Sequence, residues 1–364
     1  MGLFLYHAKV WRGGGRFAEA VTLRRGRVAA VGEGRALRPG ASDCTPIDCG
    51  GRTVIPGFFD PCLRLTKAFS PLPDKPSRWK AYFREVLGQA GRAGLTTLIS
   101  PELGRELPDK VLPVLRQLYR EEAALPRLLF WQHGSAPTPF QPMRRWPAFA
   151  GRLGQTEELP RLLRQGGLIA LPAENRTALE RALSAIEQNP LPAGDLRRLA
   201  LLGADCTCPA QVQTMGQLGL GVIAFPGQLP ERLLACTGLP GVEPDTCCAW
   251  RTLSHLGAKV AFSGLDSSAP FGALQQAVCR REVTPTGEER PSREALTVEE
   301  ALFAMTEGAA WTDFREQSLG RIAPGWQGDL QVLSADPFTC PLKELGRIRP
   351  VLVTAAGQLL HREI

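Results

Sequence analysis

The chain has 364 residues, 44% of them hydrophobic, which is enough for one large α/β barrel or for roughly two to three smaller domains. The net charge is +7, but the basic residues are scattered with no basic run interleaved with aromatics, which argues against a nucleic-acid partner. No stretch approaches the roughly 18 apolar residues that span a membrane, and the N-terminus lacks the order of a signal peptide. We therefore expect a soluble, cytoplasmic protein with no membrane partner.

The ten cysteines would permit disulfides, but a long chain without an export signal favours reduced thiols. The spacing of Cys206 and Cys208, and the adjacent pair Cys247 and Cys248, do not match the paired C-x-x-C units of a zinc ribbon. The cysteine pattern therefore predicts no structural zinc site.

Both ends of the chain have the pattern of short β-strands. Residues 18–23 alternate, residues 24–27 make a turn and residues 28–32 continue the pairing, which is typical of a hairpin. Near the other end, residues 329–333 read as a strand, and residues 350–360 as two strands around a turn. We expect the two ends to meet in one small β-domain.

Between the two ends, apolar strands alternate with segments of helical spacing, which indicates a parallel sheet, open or closed into a barrel. The predicted strands are 95–100, 127–131, 168–171, 199–203, 221–225 and 259–263. The predicted helices are 79–93, 110–122, 177–187, 209–218, 249–256 and 297–307.

Two motifs mark the junctions between the β-domain and the central region. Residues 47–60 pass through Pro56 and Gly57 into a strand that ends at Asp60, which resembles the entry to the barrel in the amidohydrolase superfamily. Residues 318–333 are similar to that superfamily's G-x-I-x-P-G-x-x-A-D-L return segment, with Gly328 at the usual alanine. Residues 336–357 look most like the YtcJ-like branch, whose members are usually longer, so a central insertion is missing here.

The resemblance implies an α/β fold, a (β/α)8 TIM-like barrel over residues 56–319. It also implies a composite β-sandwich formed by residues 1–55 and 320–364. In working members, one or two divalent metals at the carboxyl ends of the strands activate a water that attacks an amide, ester or related bond. The implied ligands are an H-x-H after the first strand, histidines after two later strands and an aspartate after the last. Imidazoles and a carboxylate hold the ion, and its open position lowers the pKa of the bound water.

This chain departs from the implied ligand set at four positions. The H-x-H positions hold Cys62 and Arg64, and the two later histidine positions fall at about Leu171 and Gly203. The terminal aspartate matches Asp266, although its local spacing is one residue off. Arg64 places a positive charge at a position where the metal cation would bind. The resemblance therefore implies a scaffold that has lost its metal, and we expect no metal cofactor.

The histidine count agrees with this interpretation, because the chain has only four histidines, of which only His133 follows a predicted barrel strand. We therefore treat Cys62, Arg64, Leu171, Gly203 and His133 as a pocket at the former ligand positions. His133 would either line that pocket or serve as a hydrogen-bonded structural histidine. The strand 199–203 is followed by Asp205, Cys206 and Cys208. These would be ordinary loop residues or, as the alternative, metal ligands.

Asp266 is the one candidate catalytic residue, as an acid or base, and its alternative is a turn cap before two serines. Arg64 would pair with Asp266 across the former site or point to solvent. Cys62 as a nucleophile would need a lowered pKa, which a nearby arginine favours.

Three functions follow from these residues. The first is a non-catalytic protein, in effect a pseudoenzyme, that binds a small molecule. The second is an interaction protein that stabilises an active paralogue, with homo-oligomerisation left open. The third is a hydrolase of non-peptide carbon–nitrogen bonds or of ester bonds with a rewired site around Asp266, with or without a divalent metal such as zinc.

Overall fold

The computed structural model describes residues 2–103, 108–133, 148–192, 194–236, 239, 246–264, 270–283 and 289–364. Its strands in chain order are Gly2–Tyr6 (β1), Lys9–Trp11 (β2), Phe17–Ala18 (β3), Ala20–Arg24 (β4), Arg27–Gly32 (β5), Cys44–Asp48 (β6), Thr53–Pro56 (β7), Phe58–Asp60 (β8), Leu95–Ser100 (β9), Arg127–His133 (β10), Ala148–Leu153 (β11), Leu168–Ala173 (β12), Arg198–Gly203 (β13), Gly221–Ala224 (β14), Lys259–Phe262 (β15), Arg281–Val283 (β16), Glu289–Pro291 (β17), Leu330–Leu333 (β18), Pro350–Ala355 (β19) and Gln358–Arg362 (β20).

The helices lie mainly between the strands of the central region. They are Gly34–Leu37, Leu65–Ala68, Trp79–Arg92, Pro108–Glu121, Leu159–Leu163, Arg176–Gln188, Pro209–Gln217, Leu229–Cys236, Trp250–His255, Pro270–Val278, Val298–Met305 and Glu307–Ala310. Among the helices in the described ranges, none is long and apolar enough to cross a membrane.

The two ends of the chain meet in a pair of β-sheets. One sheet has the order β5-β4-β1-β6, and the other has the order β20-β19-β18-β7-β2-β3, so it joins strands from both ends. Apolar side chains from both sheets, among them Leu5, Val21, Val54 and Leu330, form one cluster. This arrangement confirms the expected extra β-domain built from both ends of the chain.

Both predicted hairpins are present, and each turns on a pair of residues with positive φ. Arg25 and Gly26 have φ of 48° and 79° between β4 and β5, and Ala356 and Gly357 have 46° and 71° between β19 and β20. Positive φ at both central residues matches the turn twist to the twist of the strands. Glycine adopts that backbone without steric cost, which explains its place in each turn.

The central region is a (β/α)8-type barrel, as expected. Strands β8 to β15 follow one another in one sheet in the order of the chain, and each pairs in parallel with the next. Their outward side chains pack with those of the surrounding helices in one large cluster, which includes Phe83, Leu128, Leu171 and Phe262. The chain enters this barrel at Gly57, whose amide donates to the Asp329 carbonyl at 3.0 Å.

One barrel strand, β11, is absent from the sequence-based prediction. Its sequence contains glycine and arginine, so its apolar pattern is weak. The reason for the glycine is tertiary: a Cβ on Gly151 would lie 2.7 Å from the ring of Trp131 on β10. The same Cβ would lie 2.9 Å from the Leu168 carbonyl oxygen on β12, so both neighbouring strands make that glycine necessary.

A buried ion pair joins the β-domain to the end of the barrel at which its strands begin. Arg127 begins β10 and Asp329 leads into β18, and their side chains are only 5% and 3% exposed. The guanidinium binds both carboxylate oxygens, with one bond of 3.0 Å, and the Ala356 amide donates to the same carboxylate at 2.7 Å. The aspartate of the return motif is thus a structural residue that joins the two parts of the fold.

The same end of the barrel is filled by the segment that follows helix Val298–Met305. Ala309 and Ala310 lie in the interior cluster with strand residues, and the Trp311 ring stands where a Cβ on Gly221 would be. Asp313 is buried in this segment, and burial raises its pKa to about 7, against the opposing charges of Arg315 and Arg127.

This raised pKa predicts a pH-dependent stability. Between about pH 4 and about pH 7 the unfolded chain ionises at Asp313 while the folded chain keeps the proton, so the free energy of unfolding falls as pH rises. We expect Asp313→Asn to be more stable than the natural chain by about 4 kcal/mol above pH 7, and nearly equal below pH 4. Urea denaturation at several pH values measures the difference, and a difference that does not change with pH would contradict the assignment.

Candidate functional site

The candidate site is the barrel mouth, the end formed by the carboxyl termini of the strands, because barrel enzymes place their chemistry there. The barrel interior below it is packed with apolar side chains. These are Phe59, Ile99, Leu129, Trp131, Ala150, Leu168, Ala170, Ala200, Ile223 and Ala261. The interior is therefore a filled core up to the level of the strand ends.

Trp131 is the largest of these side chains and it is fully buried. It points inward from β10, and its Nε1 donates a hydrogen bond of 2.7 Å to the carbonyl of Pro61. Pro61 directly follows β8, where the resemblance places the first metal ligands. The indole therefore occupies the barrel interior beside the former H-x-H segment.

Asp60 closes the barrel between its first and last strands. Ser263, just after β15, donates its hydroxyl to the Asp60 carboxylate at 2.6 Å, and the Cys62 amide donates to the same oxygen at 3.0 Å. Both Asp60 and Ser263 are fully buried. β8 and β15 are the two edges of the barrel sheet, so this carboxylate joins edges that lie about two hundred residues apart in the chain.

The two H-x-H positions have opposite environments. Cys62 is buried among the interior side chains, and burial, with the nearby charge of Asp60, raises the pKa of its thiol well above the usual value. Burial thus disfavours the thiolate, which is the form of cysteine that acts as a nucleophile. Arg64 is exposed and immediately precedes helix Leu65–Ala68.

Leu171 and Gly203 also lie differently from a ligand pair. Leu171 packs in the cluster between the barrel and its helices, and the inward residue beside it on β12 is Ala170. Gly203 has φ of +96°, and a Cβ there would lie 3.2 Å from the Cα of Glu174. A histidine at Gly203 would be strained, because side-chain-bearing residues rarely adopt this backbone conformation.

His133 ends β10 and is half-buried. Its Nε2 donates to the carbonyl of Pro101 at the end of the neighbouring strand, at 2.6 Å. The other histidines lie by carboxylates away from the mouth: His7 by Asp48, His255 by Glu300 and His361 by Glu363. Asp266, the candidate catalytic residue, lies outside the described residues.

A second polar group at the mouth follows β13. Asp205 is buried and pairs with Arg232, whose guanidinium lies 4.7 Å from the centre of the Phe225 ring. Burial raises the pKa of Asp205, opposed by the charge of Arg232. The Cys248 thiol donates to the same carboxylate at 3.5 Å. The sequence predicts that Asp205 follows a strand, but no sequence pattern near Asp205 identifies Arg232 as its partner.

These residues do not fit the implied metal centre. Within the described parts of the chain, no group of three or more histidine, cysteine, aspartate or glutamate side chains is arranged to hold a metal ion. The polar groups that are present bind one another: Asp60 accepts from Ser263 and Asp205 pairs with Arg232. No catalytic step through a metal can be built from the described residues.

Comparison with known proteins finds similarity to amidohydrolases. The model described as "Amidohydrolase family" matches residues 131–361. The putative amidohydrolase YtcJ of Bacillus subtilis (strain 168) is 28% identical over 217 residues, covering 57% of this chain and 40% of that protein. The match thus spans less than half the length of that relative.

Solved structures share the fold at low identity. An uncharacterized metal-dependent hydrolase from Pyrococcus furiosus has a TM-score of 0.74 at 14% identity, covering 93% of this chain and all of that one. A Xaa-Pro dipeptidase with bound methionine has a TM-score of 0.69 at 14% identity, covering 99% of each chain. An A. niger ochratoxinase has the same score and identity, covering 100% of this chain and 96% of that one.

Proposed function

This chain belongs to the amidohydrolase family, and on that premise we propose that it keeps the family's barrel without using metal-activated water. Its role is then to bind, either a small molecule at the barrel mouth or an active paralogue that it stabilises. The observation that carries the proposal is the Trp131 indole, which fills the barrel interior and bonds the Pro61 carbonyl at the former H-x-H segment.

Space and charge both support this proposal. A metal at the former site would need imidazoles or carboxylates aimed inward, whereas these positions hold the buried thiol of Cys62 and the exposed guanidinium of Arg64. The inward positions next to Leu171 on β12 and Gly203 on β13 hold Ala170 and Leu202. The scaffold itself is retained, since the Arg127–Asp329 pair still joins barrel and β-domain.

Metal analysis of the natural protein tests the proposal. We expect zinc, manganese, iron and other divalent metals well below one ion per chain after purification without chelator. A family member with an intact H-x-H, purified in the same way, serves as the positive control. Near-stoichiometric metal, together with amide or ester hydrolysis that a chelator abolishes, would overturn the proposal.

A hydrolase with a rewired site is the second candidate, and the similarity to proteins named as hydrolases favours it. It would use Asp266 as the acid or base on a carbon–nitrogen or ester bond. A screen of amides and esters comes first, followed by Asp266→Ala in any activity found. Activity that survives Asp266→Ala would count against this candidate, and activity lost while the fold is kept would support it.

A further inference from the structure

Three thiols that are distant in sequence meet beside the barrel mouth. Cys206 follows β13, Cys236 ends helix Leu229–Cys236, and Cys247 precedes helix Trp250–His255. All three are buried and form one cluster with Leu233 and Leu239. The sulfur atoms of Cys206 and Cys236 are 2.7 Å apart. This cluster has no part in the function proposed above.

The backbone around the cluster is firmly held. Cys206 and Cys247 form an antiparallel bridge, and Thr207 and Thr246 exchange hydroxyl-to-carbonyl bonds across it, one of them 2.7 Å long. The buried Arg280 donates to the Cys247 carbonyl at 2.7 Å. The approach of the thiols is therefore set by the folded backbone.

The geometry suits a covalent bond better than a thiol contact. A disulfide has a sulfur–sulfur distance of about 2.0 Å, so Cys206 and Cys236 need to approach by only about 0.7 Å. Small side-chain rotations supply such a shift. The Cys236 thiol also lies within hydrogen-bonding reach of Cys247, so mapping the linked peptides distinguishes the two possible partners.

We propose that Cys206 and Cys236 are a reversible disulfide site, oxidised by a low-molecular-weight disulfide of the glutathione class. One protein thiolate attacks a sulfur of the small disulfide and releases one small thiol. The second protein thiolate then attacks the mixed disulfide and releases the other small thiol. The protein thiols lose two electrons and two protons in total, and the small disulfide gains them.

The bond would tie two elements of the mouth together. It would link the loop after β13 to the end of the helix after β14, across a separation of 30 residues. Asp205 and Arg232 already pair between the same two elements. Oxidation would therefore fix this side of the mouth and restrict the unfolded chain.

The test is an equilibrium oxidation of the natural protein. Folded protein is held in glutathione buffers of increasing oxidised fraction until its composition is constant, because burial raises the pKa of Cys206 to about 12 and slows exchange. Remaining thiols are then alkylated and peptides mapped by mass spectrometry. We expect two thiols lost per chain, a linked Cys206–Cys236 peptide, and a melting temperature raised by about 5 °C.

Two variants complete the experiment. Cys236→Ala should lose the linked peptide and the melting shift, whereas Cys340→Ala, at a partly buried cysteine outside the cluster, should keep both. Circular dichroism confirms that each variant is folded, and the natural chain alone decides the outcome if one is not. Absence of the linked peptide at every buffer composition, a Cys236–Cys247 link instead, or thiols blocked until a chelator is added would each overturn the proposal.

Discussion

Asp329→Asn is expected to lower the free energy of unfolding by about 3–5 kcal/mol, because it leaves the Arg127 guanidinium buried without its counter-charge. Both side chains are almost fully buried, and Asp329 also accepts from the Ala356 amide. Urea denaturation followed by circular dichroism measures the change. The pair joins the first residue of barrel strand β10 to the β-domain. We therefore also expect the barrel and the β-domain of the variant to unfold in separate transitions.

An exposed ion pair provides the matched control. Arg347 is 81% exposed and pairs with Glu344, so Glu344→Ala should change stability by less than about 1 kcal/mol. Replacing both members of the buried pair, Arg127→Met with Asp329→Leu, should recover part of the loss, since no unpaired charge then remains. If Asp329→Asn costs no more than Glu344→Ala, the junction does not depend on this pair.

Trp131→Ala should lower the free energy of unfolding by a similar amount, about 3–5 kcal/mol, because it leaves a cavity in the barrel. The side chain is fully buried and contacts a position that must be glycine, Gly151. Loss of the indole would also leave the Pro61 carbonyl without its donor. Denaturant titration of folded variants gives the value.

Trp131→Phe separates these two contributions. It keeps an aromatic ring but removes the smaller ring of the indole together with its N–H group, so we expect a loss of about 1–3 kcal/mol. Leu196→Ala, at a side chain that is 86% exposed, controls for effects of substitution itself and should be near neutral. A Trp131→Ala variant as stable as Leu196→Ala would show that the ring does not fill the barrel, which would also remove the main support for the proposed function.

The tertiary structure shows which of the residues near the former ligand positions face the barrel interior. Strands of a barrel are apolar on both faces, so the sequence of β12 does not reveal which residues face inward. The sequence therefore predicts a ligand position at about Leu171. In the fold, the Leu171 side chain packs against the helices, and Ala170 faces the interior. The same ambiguity hid Trp131, which faces inward with Leu129, whereas Phe130 between them faces the helices.

Local pattern was sufficient for much of the fold. Seven of the eight barrel strands follow from apolar runs between helical segments and from the entry motif, and the two hairpins follow from Gly26 and Gly357 at their turns. The shortage of histidines is likewise a property of the sequence alone. Such features depend on neighbours a few residues away, where periodicity and backbone preference act.

The sequence alone could not predict contacts between residues that are far apart in the chain. The Arg127–Asp329 pair spans 202 residues, the Asp60–Ser263 bond spans 203, and the thiols of Cys206 and Cys236 meet across 30. Strand β11 belongs to the same class, because its glycine is required by a ring on β10. Each depends on barrel closure, which brings side chains together by strand order and inward orientation, and neither property is encoded by any single segment.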